Sequence, residues 1–185
     1  SKFLIKKHDN FLRNYVFSLI LDGQVKKAIN QIKHSKEANF FEANLLLILD
    51  SFTKKKYKQA ENRIKKLLSN EQEDTYKFVI LKSLESYNYA FLHKRVGKKN
   101  GSLGRIDLIT RAFQNCYLDK KNTNSHFLNI INFQKSDYSR YLFFYLGNII
   151  ENEDYEAAIE ISKTIEPLTS GLLIAQANNW IENNE

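Results

Sequence analysis

The feature that most restricts the fold of this chain is its shortage of turn residues, since its 185 residues include one proline and six glycines. A β-sandwich or β-barrel reverses direction after every strand and depends on glycine and proline at those reversals. Hydrophobic residues make up 43% of the chain and aromatic residues 13%, which is far too apolar for a disordered polypeptide. We therefore predict an all-α fold in which helices are joined by short polar links.

Three segments of the sequence share an apolar residue that is followed three positions later by alanine. Each segment continues with aliphatic residues at helical spacing, which predicts an amphipathic helix with one narrow apolar stripe. We expect the alanine to lie where a neighbouring helix approaches closely, since a larger side chain would push the two helices apart. The pairs are Val25 with Ala28, Tyr57 with Ala60, and Tyr155 with Ala158.

A more hydrophobic segment precedes each of these helices, separated from it by a link of about two to four residues. Links this short force the two helices into an antiparallel hairpin. The pattern predicts five hairpins and a capping helix, with an inserted loop at 97–104. The predicted hairpins lie near 10–35, 40–69, 74–96, 104–134 and 137–166, and the predicted capping helix lies at 169–183.

The third and fourth hairpins follow the pattern less closely. In the third, Tyr87 and Ala90 would belong to the second helix, with residues 74–84 as the first. An alternative is that residues 73–95 form one long helix, because no glycine or proline interrupts them. In the fourth hairpin, His126 stands where the other hairpins carry alanine.

The repeat spacing and two motifs resemble the tetratricopeptide repeat (TPR) family. Positions 28, 60, 90, 126 and 158 are separated by 32, 30, 36 and 32 residues, and the repeat of that family is about 34 residues long. The stretch DYEAAIEISKTIEP at 154–167 matches the second helix of the repeat with its terminal proline. YLG at 145–147 falls near the Leu-Gly of the first helix. The segment 137–181 also resembles uncharacterised bacterial members of the family, α-proteobacterial ones among them.

This resemblance implies a single domain over residues 1–185, folded as a right-handed α-α superhelix, in which first helices line a concave groove. It implies a scaffold that holds a peptide or helix of another protein, and no particular chemistry. Residues 2–10 resemble the tail of a preceding repeat, so we expect the chain to be a fragment of a longer repeat protein. The groove residues implied by the resemblance are Arg13, Asn14, Phe17, Tyr76, Val79, Arg111, Asn115, Arg140, Phe144 and Asn148.

The implied groove contains Arg13, Arg111 and Arg140, which are three of the six arginines in the chain. The guanidinium group of arginine can form two parallel hydrogen bonds with a carboxylate, so one interpretation is that the groove binds an acidic or C-terminal peptide. The alternative is that these arginines pair with acidic side chains of adjacent hairpins. Leucines at 45, 46 and 49 stand where chaperone-binding members carry polar groove residues, so we do not expect their carboxylate clamp here.

The uneven charge of the chain predicts a second candidate function. The net charge is +7, with +11 in residues 1–100 and −4 in residues 101–185. A lysine-rich outer face could contact the phosphates of RNA while Tyr57 stacks on a base; alternatively, these lysines only solvate exposed helix faces. Self-assembly through an exposed apolar end of the repeat stack is a third candidate. The basic residues concerned are Lys26, Lys27, Lys33, Lys54, Lys55, Lys56, Lys58, Arg63, Lys65 and Lys66.

The sequence carries no recognisable motif for catalysis, a metal or a cofactor. Its four histidines lie on separate segments without metal-ligand spacing, and Cys116 has no second cysteine to pair with. Cys116 and His126 allow two interpretations: a thiolate–imidazole pair, or a buried thiol and a polar packing residue. We predict that the protein is not an enzyme and has no cofactor and no small-molecule substrate.

No segment approaches the roughly 18 uncharged apolar residues that a membrane-spanning helix needs. We therefore predict a soluble protein without a membrane span. The sequence leaves the compartment open between the cytoplasm and a bacterial periplasm.

Overall fold

The computed structural model describes residues 10–35, 38–72, 75–97, 101–132 and 141–165. These residues form α-helices joined by turns, with one short 3-10 helix at Gly101–Leu103 and no strand among them. The prediction of an all-α fold is therefore confirmed for this part of the chain. The helices are α1 (Phe11–Leu21), α2 (Val25–His34), α3 (Phe41–Thr53), α4 (Tyr57–Leu68), α5 (Tyr76–His93), α6 (Arg105–Tyr117), α7 (Thr123–Ile131), α8 (Leu142–Glu151) and α9 (Tyr155–Ile165).

The chain divides into two compact units, Ser1–Leu92 and His93–Glu185. In the first unit α1 packs against α2, α3 packs against α4, and α2 also contacts α3. Side chains of α1, α2 and α3 form one apolar cluster, and side chains of α3, α4 and α5 form another. The buried residues are Leu12, Val16, Leu19, Ala28, Ile32 and Ala43 in the former, and Ile48, Ala60, Ile64 and Leu81 in the latter.

The second unit has one apolar cluster within its described residues. In it α6 packs against α7, α7 against α8, and α8 against α9. Phe127 is fully buried, and the ring of Phe113 meets it edge-on with centroids 5.5 Å apart. The buried members are Ala112, Phe127, Ile130, Leu142, Tyr145, Leu146, Ile149, Ile150 and Ala158.

The alanines that recur in the predicted hairpins have no exposed surface, as close approach of helices requires. The aromatic residues three positions before them are less buried. Tyr57 is half-buried, with its ring 5.6 Å from that of Phe91 on α5, and Tyr155 is 37% exposed. The fully buried alanines are Ala28, Ala60, Ala90 and Ala158.

Four helix pairs turn through the same hydrogen-bond pattern. After α1, the backbone N–H of Gly23 donates to the carbonyl of Ile20 at 3.0 Å, and that of Gln24 donates to Leu19 at 2.8 Å. This pair of bonds is the Schellman motif, which needs a residue with positive φ. Gly23 has a φ of +72°. The equivalent residues after α3, α6 and α8 are Lys55, Asp119 and Glu153, with φ of 55°, 50° and 60°.

The hairpin predicted near 74–96 is wrong, because Tyr76–His93 is one continuous helix of 18 residues. The alternative of a single long helix describes this segment. The hydroxyl of Thr75 accepts a hydrogen bond from the N–H of Phe78 at 3.2 Å and so caps its start. The buried side chains of Leu81 and Ala90 lie toward either end of this helix, so both halves are held by packing. The capping helix predicted at 169–183 lies outside the described residues.

Candidate functional site

In the first unit, four exposed apolar side chains of α1, α3 and α5 make up what we call the apolar face. It consists of Phe17, Leu49, Tyr76 and Ile80, whose exposed fractions are 36%, 48%, 65% and 37%. Large apolar side chains with this much exposed surface are the usual anchors of protein interfaces when they lie together. Whether they lie together depends on the contacts that join the three helices.

Side-chain contacts join the helices of the apolar face. Arg13 Nη2 lies 2.5 Å from Glu42 Oε1, which links α1 to α3. The ring of Tyr76 meets that of Phe41 edge-on at 6.1 Å, which links α3 to α5. Residues four or seven apart share a helix face, so Arg13 lies beside Phe17, and Glu42 lies on the same side of α3 as Leu49. Phe17 and Leu49 therefore lie on the sides of α1 and α3 that carry the ion pair, and Tyr76 lies against Phe41 at the start of α3.

Arg13 has local partners. Besides its ion pair with Glu42, its guanidinium carbon lies 5.8 Å from the centre of the Phe17 ring. The side chain of Arg13 is 46% exposed, and an ion pair this open contributes at most about 1 kcal/mol to stability. The guanidinium can therefore exchange Glu42 for another carboxylate at little cost. Asn14, the next residue, is exposed.

Two of the predicted groove residues in the second unit make hydrogen bonds within the chain. Asn115 is 3% exposed, and its amide donates to the carbonyl of Arg111 at 2.7 Å. Arg111 Nη1 donates to the carbonyl of Gly97 at 3.0 Å, and so ties the start of the inserted loop to α6. The amide of Asn115 is covered by its own unit, and Arg111 bonds to a backbone carbonyl and not to one of the acidic side chains named as the alternative.

The remaining predicted groove residues divide between exposed and covered. Phe144 is 48% exposed, with its ring 4.9 Å from that of Phe113. Asn148 is half-buried, and its amide nitrogen lies 3.6 Å from Cys116 Sγ. In the first unit, Val79 is also half-buried. Arg140 lies outside the described residues.

Ile80 belongs to the apolar face although the sequence did not predict it there, whereas Leu49 occupies one of the groove positions that the family resemblance implies. Ile80 lies one helical turn after Tyr76, and this spacing was available as a signal. Leu49 lies in the run LLLIL, whose five consecutive aliphatic residues make every side of the helix apolar. In such a run the sequence pattern cannot show which side is exposed.

A cleft with a cavity volume of about 520 Å³ lies between α2, α3 and α4 of the first unit, on another side of α3 from Glu42 and Leu49. Asp50 lies in it, with its two carboxylate oxygens 2.6 Å from Lys33 Nζ and 2.6 Å from Lys54 Nζ. The hydrogen bond from Lys33 and then that from Lys54 lower the pKa of Asp50, and the same contact raises the pKa of Lys54. Other charged residues that line it are Lys56 and Arg63. We call this the basic cleft.

Several lysines of the predicted nucleic-acid face are already paired. Glu61 accepts from Lys65 at 2.7 Å and from Lys58 at 3.2 Å, and these two contacts, in that order, lower its pKa. Lys33 and Lys54 share Asp50 in the basic cleft. Lys26, Lys27, Lys55, Lys56 and Lys66 are exposed.

Cys116 and His126 have separate polar partners. Asn148 Nδ2 lies 3.6 Å from Cys116 Sγ, and Asn122 Nδ2 lies 3.2 Å from His126 Nε2. Burial, followed by the negative charge of Glu151, raises the pKa of the Cys116 thiol. Burial, followed by the positive charge of Arg111, lowers the pKa of His126. A raised pKa is the opposite of what a reactive thiolate needs, so these contacts favour the packing interpretation over the thiolate–imidazole pair.

Within the described residues, no group of three or more His, Cys, Asp or Glu side chains is arranged to hold a metal ion. None of the helices there combines the length and the apolar character that crossing a membrane requires. Comparison of the chain with protein-family models, curated protein sequences and solved structures finds no match.

Proposed function

We propose that this chain is a non-enzymatic scaffold of the tetratricopeptide type, which holds a peptide or helix of a partner protein on the apolar face. The single observation that carries the proposal is the exposure of Phe17, Leu49, Tyr76 and Ile80 on three helices joined by direct contacts. The recurring Schellman turns and the buried alanines support a repeat architecture. A right-handed superhelix is the arrangement we propose for it.

The binding energy would come from the aromatic anchors. Tyr76 is the most exposed of them, and truncating such a residue at the centre of an interface typically costs about 2 kcal/mol or more. Tyrosine also keeps a hydroxyl for hydrogen bonding when its ring becomes buried. Arg13 would exchange Glu42 for a carboxylate of the guest, and so set the register of an acidic segment.

The test is affinity purification from the native cell with the whole 185-residue chain as bait. Three baits are compared: wild type, Tyr76→Ser, and Tyr89→Ser as the matched control. Tyr89 is an exposed tyrosine of the same helix, 13 residues from Tyr76 and so on the other side of it. We expect a partner that wild type and Tyr89→Ser retain and that Tyr76→Ser loses by about thirtyfold.

Capture of a protein by all three baits to the same extent would show that the apolar face does not bind it. Loss with both tyrosine variants would point to a general defect of α5. Circular dichroism of the three purified baits separates that defect from a specific loss. The proposal stands only on a selective effect of Tyr76.

A second candidate function is binding of single-stranded RNA. A cleft with a cavity volume of about 360 Å³ is lined by Tyr57 with Lys55, Lys56 and Lys58, which is the combination of a stacking ring and cations that such binding uses. The ion pairs of Lys33, Lys54, Lys58 and Lys65 reduce the charge available for it. The test is the salt dependence of binding to a short RNA, which is steep for phosphate contacts.

A further inference from the structure

The basic cleft has more cationic side chains than carboxylates. Four cationic side chains line it, those of Lys33, Lys54, Lys56 and Arg63, with a single carboxylate, Asp50, so its net charge is +3. Cations that only solvate a helix surface spread outward into water. Here α2, α4 and the turn between α3 and α4 direct them toward one concavity, which concentrates their field.

Arg63 provides an independent observation. Its Nη1 donates to Asn44 Oδ1 at 3.0 Å, while its Nε atom is buried and has no hydrogen-bond acceptor among the described residues. A buried guanidinium N–H without an acceptor is costly, and such a group commonly marks a place where another molecule accepts. Arginine is the side chain best suited to planar recognition of an oxyanion.

We infer that the basic cleft binds a small phosphate-bearing anion, which bridges the ammonium groups of Lys33 and Lys54 and accepts from Arg63. The argument for phosphate over carboxylate is charge, because a phosphate monoester carries about −1.5 to −2 at neutral pH and a carboxylate carries one negative charge. Asp50 already occupies two ammonium groups with its two oxygens, at 2.6 Å each. It is therefore the internal competitor of the ligand.

The shape of the cleft favours a small molecule over a nucleic acid. Its cavity volume of about 520 Å³ falls within the range of about 300–1,000 Å³ of small-molecule pockets. A nucleic-acid strand needs a row of cations that follows its backbone, whereas these four converge on one place. The site is independent of the apolar face, since it lies on another side of α3.

The experiment titrates the whole chain at low ionic strength with two probes, inorganic phosphate and phenyl phosphate, followed by calorimetry. The variants are Lys33→Gln/Lys54→Gln, Asp50→Asn, and the control Lys26→Gln/Lys66→Gln, which removes the same charge from exposed positions away from the cleft. We expect the cleft variant to weaken binding by at least about tenfold and the control by less than about threefold. We expect Asp50→Asn to strengthen binding by about fivefold, since it removes the competing carboxylate.

Equal weakening by the cleft and control variants would overturn the inference, because it would show a general effect of net charge. So would the absence of binding to both probes, or weaker binding by Asp50→Asn. Tighter binding of phenyl phosphate than of inorganic phosphate would identify an organic phosphate as the ligand, and equal binding would identify the free ion. An eight-nucleotide oligothymidylate that binds more tightly than phenyl phosphate and loses affinity in both lysine variants would replace the small-anion site with a nucleic-acid surface. Asp50→Asn retains both lysines, and its comparison with Glu160→Gln, which changes the net charge equally at an exposed position, keeps the test decisive if the double variant misfolds.

Discussion

At the scale of single residues, the ion pairs of Asp50 make the stability of the folded chain depend on pH. Its two lysine contacts lower its pKa in the folded chain, so the folded form binds a proton less readily than the unfolded form does. The stabilisation is therefore fully present above the ordinary carboxyl pKa of about 3.9. It is lost as the pH falls through the lowered value.

We predict that Asp50→Asn reduces the pH dependence of Tm below about pH 4.5. Wild type should lose stability more steeply than the variant as acid is added, because only wild type loses the two charged hydrogen bonds. Differential scanning calorimetry between about pH 2.5 and pH 6 measures this. Glu160→Gln, which removes an exposed carboxylate from α9, is the control, and parallel curves for wild type and Asp50→Asn would contradict the prediction.

A second residue-scale prediction concerns Lys55, which adopts a φ of +55° at the end of α3. A side chain in this left-handed region costs about 1 kcal/mol relative to glycine. We therefore expect Lys55→Gly to raise Tm by roughly 2–4 °C. The control is Lys56→Gly, at the adjacent residue with a φ of −87°, where glycine gains nothing and should lower Tm. A lower Tm for Lys55→Gly as well would mean that the turn does not depend on its left-handed residue.

The residue scale also shows where sequence reasoning stopped short. Arg13, Asn14 and Phe17 were predicted to be accessible, and all three are exposed. Asn115 was predicted in the same way and is buried, because its amide bonds to the carbonyl of Arg111 one turn earlier. A polar side chain that satisfies itself within its own helix can be buried at little cost, and nothing in the sequence pattern distinguishes it from an exposed one.

At the scale of elements, four of the five helical hairpins could be predicted and the one near 74–96 could not. Hydrophobic spacing and short links were enough to predict α1 with α2, α3 with α4, α6 with α7, and α8 with α9. The segment 74–96 contains the aromatic–alanine pair of a second helix at Tyr87 and Ala90, yet it has no residue that would end a first helix. The motif alone therefore predicted a turn that the backbone does not make. The sequence also contains only one glycine, Gly23, among the four Schellman turns, so the other three had no compositional signal.

We predict that proline in the middle of α5 destabilises the chain by about 3 kcal/mol or more. Ser86→Pro removes an intrahelical hydrogen bond and brings its ring against the carbonyl of the preceding turn. Ser86→Ala is the control, since it removes the hydroxyl and keeps the backbone N–H. Urea unfolding of the two variants measures the difference. A tolerated proline would support two helices with a turn between them, and would contradict a continuous α5.

At the scale of the whole molecule, the distribution of charge separates the two candidate functions. Residues 1–100 carry +11 and residues 101–185 carry −4, so attraction of any polyanion to the first half is expected. Non-specific attraction of this kind does not require a defined site. The change of affinity with salt concentration therefore distinguishes the two candidate functions better than the affinity itself does.

We predict that the partner that depends on Tyr76 binds with an affinity that changes by less than about threefold between 50 and 200 mM NaCl, since apolar burial supplies most of its energy. If the chain bound RNA by neutralising six to ten of its phosphates, the affinity would fall by about 10³–10⁵ over the same range of salt. Biolayer interferometry with the immobilised chain measures both, and Lys26→Gln/Lys66→Gln serves as the charge control. If the affinity of that partner fell steeply with salt, and fell equally for wild type and Tyr76→Ser, the partner would bind to the lysines. The apolar face would then be left without a ligand, and multi-angle light scattering would show whether it pairs with a second copy of the chain.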